Sequence, residues 1–159
     1  MKRAFVGSCA VILALLCTGC GSGPEVPSTP QGLEEDLTVG VVQDFFQALE
    51  AREKVRLERV LHEDATLTRI DVRGAERSVS RSSGSDWISA VSVSGPPLIE
   101  RMEGAQVEVA ENLAQLWAYY TFQIGDSLSH CGYDAFQLVK TGPEGWRILG
   151  VTYTIETCP

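Results

Sequence analysis

One of the chain's two histidines stands in the run Ser129-His130-Cys131-Gly132-Tyr133-Asp134. An imidazole, a carboxylate and a phenol such as Tyr119 are the groups that move a proton beside a carbonyl. Cys131 adds either a nucleophile or half of a disulfide. Spacing limits the first reading, because residues i and i+4 on a strand lie about 13 Å apart. His130 and Asp134 therefore form no direct dyad on a regular strand. The expectation is that Asp134 hydrogen-bonds Thr152 or an indole N–H. His62-Glu63-Asp64 is a second cluster, but no partner ligands stand at metal-site spacing, and it reads as a solvated helix end. Glu100 either points inward to pair with Arg69 or is an edge charge. No glycine-rich phosphate loop, CxxC pair or serine-nucleophile motif is present, so the sequence points to no cofactor.

The elements that must position these groups follow from periodicity. Val41, Val42, Phe45, Phe46 and Leu49 recur at helical spacing within Leu37–Arg52, with Asp36 or Thr38 as the cap. A short helix over Lys54–Leu61 follows, then a strand over Ala65–Val72 and a return strand over Arg77–Arg81. Ser83 or Ser85 opens a third helix carrying Trp87, Ile88 and Val91 on its apolar side. The rest reads as strands: Leu98–Met102 and Ala105–Ala110 around Gly104, then Leu113–Ile124, Leu128–Lys140 and Trp146–Glu156. Helices followed by an antiparallel meander define an α+β fold.

The hairpin turns set a register. Placing Ile124 opposite Ser127 puts Thr121 opposite His130, Tyr119 opposite Gly132 and Trp117 opposite Asp134. Placing Lys140 opposite Trp146 puts Phe136 opposite Gly150 and Asp134 opposite Thr152. A one-residue bulge would break either pairing.

The first residues read as an address. Lys2 and Arg3 precede the apolar run Ala4–Leu16, which is short for a membrane span. Leu16-Cys17-Thr18-Gly19-Cys20 resembles the lipobox of bacterial lipoproteins, with Cys17 where leucine is usual. The resemblance implies a signal peptide over 1–19 and an acylated (palmitate-type) Cys20 inserted in the bilayer. Each buried CH2 of such an anchor contributes about 0.8 kcal/mol. Residues 20–32 then form the lipid-anchored cysteine and a Gly/Pro/Ser-rich tether. Gly21 resembles the pattern that sorts Gram-negative lipoproteins to the outer membrane, facing the periplasm. Cys9 and Cys17 leave with the leader and Cys20 carries lipid. Cys131 and Cys158 remain for a disulfide in an oxidising cell envelope. The formal charge is −8, and Lys2 and Arg3 supply two of the 13 basic residues against 21 acids. An acidic domain without a basic stripe is a poor partner for nucleic acid.

The ending FQLVKT, a glycine turn, GWRI and a final strand is similar to that of nuclear transport factor 2-like (NTF2-like, SnoaL-like, ketosteroid isomerase-like) domains. SHCGYDAFQLVKT with a terminal cysteine resembles an exported bacterial subgroup, mostly without assigned function. The resemblance covers about 33–159. It implies a cone-shaped fold in which one sheet face meets the helices and encloses a pocket. On the register above, the candidate ligand-binding face is Trp117, Tyr119, Thr121, His130, Asp134, Phe136, Trp146 and Thr152, with His130 at the rim. The opposite face carries Leu116, Ala118, Tyr120, Phe122, Tyr133, Ala135, Val139 and Val151. It is either the true core side or the contact of a homodimer, an assembly the resemblance implies. The expected function is non-catalytic: binding a small, partly apolar ligand or docking an envelope partner. The alternatives are an acid–base enzyme acting on a carbonyl compound, with His130, Asp134 and Tyr119 as catalytic candidates, and a structural dimerisation module.

Overall fold

The computed structural model describes residues 31–159. The expected leader, Cys20 and most of the tether lie outside the described residues. Gln31 and Gly32, read as tether, belong to the first helix, α1 (Gln31–Glu50). That helix starts well before Asp36 and Thr38, so neither caps it. Thr38 is buried inside and its hydroxyl donates to the Glu34 carbonyl at 2.8 Å. Val42, Phe45, Phe46 and Leu49 are the buried stripe, each contributing about 1.5–3 kcal/mol by leaving water. The helix ends at Arg52, whose φ of 55° is left-handed. Its N–H donates to the Leu49 carbonyl and that of Glu53 to Ala48, satisfying carbonyls of the last turn.

Helix α2 (Lys54–Val60) leads into strand β1 (Leu61–Asp71), and β2 (Ser78–Ser83) pairs back on it. His62, Glu63 and Asp64 thus lie in a strand, not at a helix end. Helix α3 (Gly84–Val91) is capped by Ser83, whose hydroxyl accepts from the Asp86 N–H at 3.2 Å. The strands β3 (Leu98–Ala110), β4 (Leu113–Ile124), β5 (Ser127–Lys140) and β6 (Trp146–Ile155) complete one six-stranded sheet, ordered β2-β1-β6-β5-β4-β3. β1 runs parallel to β6 and the other pairs are antiparallel. The helices cover its concave side, where Phe45 and Phe46 of α1 each meet Phe136 edge-on with centroids 5.8 Å apart. The fold is α+β, as expected.

Beside the register shift between Leu61 and Thr66 in the β1–β6 pairing, three bulges in the antiparallel pairs decide which residues of β3–β6 face inward. At Gly104, φ is 64° and the β3–β4 pairing shifts between Glu103 and Gln106. Leu98, Glu100 and Met102 face the helices before the shift, and Val107 and Val109 after it. The second bulge adds Ser129: Gln123 faces Leu128 but Phe122 faces His130. The third adds Leu149: Leu138 faces Ile148 but Gln137 faces Gly150. Each extra residue turns the side chains beyond it to the other face.

The C-terminal edge is drawn tightly onto β5. A β-carbon at Gly132 would run into the Thr154 carbonyl, so glycine is what allows this approach. Tyr120 Oη donates to that carbonyl at 2.6 Å, and the Tyr133 N–H donates to Thr154 Oγ1 at 2.9 Å. Cys131 pairs with Glu156 and is joined to Cys158 by a disulfide, the Cα atoms 5.4 Å apart.

Candidate functional site

A cavity of about 330 Å³ lies between the concave face and helices α1 and α3. Its apolar walls come from Phe45 and Leu49 of α1, Trp87 and Val91 of α3, and Leu67 and Val151 of the sheet. Phe45 and Trp87 stack with centroids 5.3 Å apart. Arg52 holds the end of α3 and the loop that follows it, next to Val91 of this wall. Its guanidinium donates to the carbonyls of Val91 at 2.7 Å, Val93 at 2.9 Å and Pro96 at 2.9 Å.

The inner end of the cavity holds two carboxyl groups, Glu100 of β3 and Asp134 of β5. Glu100 is 9% exposed and Asp134 2%. The two carboxyls are close enough for each to perturb the other's titration. No N–H or hydroxyl donor among the described residues reaches Asp134 Oδ2. A buried carboxylate without a donor is costly, which favours a proton on the pair and leaves Asp134 Oδ2 open to a donor from a bound molecule. Burial pushes Glu100 well up, and the neighbouring Asp134 charge pushes it further. Burial pushes Asp134 up to about 7. At neutral pH the pair therefore keeps at least one proton. The same burial, followed by the two carboxyls, raises the Tyr120 phenol, which stays protonated and donates to Thr154.

The outer end is basic. Arg69 of β1 and Arg73 of the following turn line it, and both side chains are partly exposed, at 40% and 38%. Both hold Asp71 Oδ2, at 2.7 and 2.8 Å. The Arg73 side chain and N–H keep Asp71 well below the usual carboxylate range. Two guanidinium groups against one carboxylate leave a net positive charge at the rim. His130, half-buried beside them, is pushed down to about 4, chiefly by burial and then by Arg73 and Arg69. It is neutral at pH 7, stacks on Phe122 at 4.7 Å and hydrogen-bonds Ser129 Oγ through Nδ1 at 3.0 Å.

The structure redistributes the residues expected at this site. His130 and Asp134 line the cavity. The bulge at Ser129 puts Trp117, Tyr119 and Thr121 on the convex face, opposite Ala135, Tyr133 and Cys131. Trp117 is 48% exposed and stacks on Tyr133 at 5.3 Å. The bulge at Leu149 sends Thr152 to the same convex face, opposite Ala135, and sets Tyr153 opposite Asp134. Asp134 thus meets Glu100 rather than Thr152 or an indole. Phe136 lies on the concave face but is packed into the core by Phe45 and Phe46. Trp146 is buried away from the cavity, its indole N–H donating to Glu34 Oε2 at 2.6 Å, while Lys140 Nζ reaches Glu34 Oε1 at 2.8 Å. Of the face left open between core and dimer contact, Leu116, Ala118, Tyr120, Phe122 and Val151 are on the concave side. Tyr133, Ala135 and Val139 are on the convex side. Glu100 points inward, but Arg69 is engaged by Asp71. Tyr120, Tyr153, Trp87 and Arg73 are cavity residues the sequence pattern did not place there. Counting parity across a bulge would have found the first two.

Comparison with solved structures places this architecture. The chain has the NTF2-like fold. It is similar to an NTF2-like superfamily protein from Salmonella enterica serovar Typhimurium, at 9% identity and a TM-score of 0.63, covering 81% of this chain and 95% of that one. It is also similar to an NTF2-like protein from Cytophaga hutchinsonii, at 12% identity and a TM-score of 0.61, over 76% and 96% of the two chains. A third neighbour is a proposed dehydratase of the NTF2-like family from Streptomyces avermitilis, at 10% identity and a TM-score of 0.60, over 79% and 98%. No family model and no curated protein matches the sequence. At these identities the likeness defines the fold alone.

Proposed function

We propose that this chain is a lipid-anchored envelope protein whose NTF2-like domain binds a small, partly apolar molecule in the concave cavity. The carrying observation is a cavity with apolar walls and, at its inner end, a buried carboxyl pair with Asp134 Oδ2 unserved by any protein donor. Ligand pockets combine these two properties: apolar lining and a few convergent polar groups. At about 330 Å³ the volume is near the lower end of the usual range of about 300–1,000 Å³, which suits a ligand of one or two rings. The anchor rests on Leu16–Cys20, and mass spectrometry of membrane-extracted protein checks it: an unmodified Cys20 would refute it. A thermal-shift screen of small ring compounds tests the binding itself. A true ligand at a hundred times its Kd stabilises the fold by about 2.7 kcal/mol, and the gain should vanish when Val91→Trp fills the cavity. A screen in which wild type and filled variant respond alike would refute the site.

A second reading is favoured by the same carboxyl pair. An aspartate pushed up to about 7 in an apolar cavity is poised to exchange a proton with carbon beside a carbonyl. Deuterium exchange into a panel of ketones and enones tests it, with Asp134→Asn as the control. A homodimer through the exposed Trp117–Tyr133 stack is a further part of the proposal, and sedimentation equilibrium decides it.

A further inference from the structure

The cavity is polar at both ends and apolar between, and the two ends differ in charge. The inference below rests on the binding reading above and names the ligand class.

At the rim, Arg69 and Arg73 share one carboxylate, Asp71, so one guanidinium's worth of charge is left uncompensated where solvent still reaches both side chains. His130 stands beside them and adds no negative charge. At the inner end Glu100 and Asp134 are buried, and Asp134 Oδ2 has no protein donor. An anionic group cannot go inward, because the pair is acidic and desolvated. It is attracted to the rim, where Arg donors suit a carboxylate. A cation is opposed at the rim before it can reach the pair. What the inner end lacks is a hydroxyl, which can donate to Asp134 Oδ2 and accept the proton held by the pair. Between the ends, Phe45, Trp87 and Tyr153 present aromatic surface.

We infer that the cavity takes a small aromatic or alicyclic carboxylic acid carrying a hydroxyl at its far end, with the carboxylate at Arg69 and Arg73 and the hydroxyl at Glu100 and Asp134. The charges at the two ends fix the direction in which the ligand enters, and the ring fills the apolar length between them.

The test is isothermal titration calorimetry on the exported, oxidised chain with four related probes. 3-(4-Hydroxyphenyl)propionate has both ends. 3-Phenylpropionate lacks the hydroxyl, 4-propylphenol lacks the carboxylate, and tyramine replaces the anion with a cation. The first should bind at least about tenfold more tightly than each of the others, the increment expected of one charge-assisted hydrogen bond. Its advantage over 4-propylphenol should shrink as salt is raised from about 0.05 to 0.5 M and should fall toward one in Arg73→Gln. The salt arm needs no variant, so it decides the matter even if Arg73→Gln folds poorly. Equal binding of acid, phenol and amine would overturn the two-ended recognition while leaving a binding cavity in place. Binding of none of the four, at millimolar concentration, would overturn both.

Discussion

Replacing Asp134 with asparagine should change how stability depends on pH, and the size of the change follows from where the carboxyl sits. Asp134 is 2% exposed beside Glu100, and burial carries it from 3.8 up to about 7. In the unfolded chain it is ionised above about pH 5, whereas the folded protein still holds the proton. Its contribution is thus fully present below the unfolded pKa and is lost as pH rises through the folded one. Between pH 5 and pH 7 the folded state holds roughly one extra proton, worth about 1.36 kcal/mol per pH unit. Over that interval, which ends at the Asp134 value of about 7, where the folded group is half-ionised, wild type should therefore lose about 2 kcal/mol relative to Asp134→Asn. His130 works in the opposite sense. It is depressed to about 4, so its contribution is present above its unfolded value and is lost as pH falls toward 4. It is common to both proteins and drops out of the difference. The asparagine amide can donate to Glu100 and favour its ionised form, which adds to the same trend. Urea unfolding of both proteins at pH 5, 6, 7 and 8 measures the difference. Parallel stability curves over this range would mean that Asp134 is ionised in the fold, and would refute the account of the carboxyl pair.

Other outcomes follow from the same packing. Gly132→Ala forces a β-carbon against the Thr154 carbonyl and should destabilise the domain by about 1–3 kcal/mol, read as a lower urea midpoint. Trp146→Phe removes the indole donor to Glu34 Oε2 and should cost about 1.5–3 kcal/mol, with ligand binding retained because Trp146 does not line the cavity. Replacing Cys131 and Cys158 with alanine opens a loop of 27 residues and should cost about 3.5 kcal/mol by the loop-entropy relation. An unchanged midpoint for the double variant would deny the disulfide a stabilising role.

Much of the fold was legible because local periodicity encodes it. The stripe Val42-Phe45-Phe46-Leu49 and the run LAQLWAYYTFQI announced a helix and a strand without tertiary information. Gly125 and Gly145 take positive φ at the turns between Ile124 and Ser127 and between Lys140 and Trp146, where the register was anchored. The pocket was misread for a specific reason. Register counted outward from Ile124–Ser127 and Lys140–Trp146 is right at the turns, and one extra residue at Ser129 and another at Leu149 invert the parity beyond them. Bulges have no strong sequence signal here, since serine and leucine fit a regular strand equally well. His130 and Asp134 kept their face, both lying beyond the Ser129 bulge, and Trp117, Tyr119 and Thr121 lost it. Glu34 shows a different limit. Its partners Lys140 and Trp146 are 106 and 112 residues away, and no local pattern foretells a helix start pinned by such contacts.

The central claim is that the concave cavity holds a small molecule, and native mass spectrometry of the exported chain, gently purified, tests it most directly. The account predicts a bound species of small mass that is released on denaturation, is retained by Trp146→Phe and is absent from the cavity-filled Val91→Trp. A wild-type protein that carries nothing and takes up no ring compound would contradict it, as would a bound species carried equally by the filled variant.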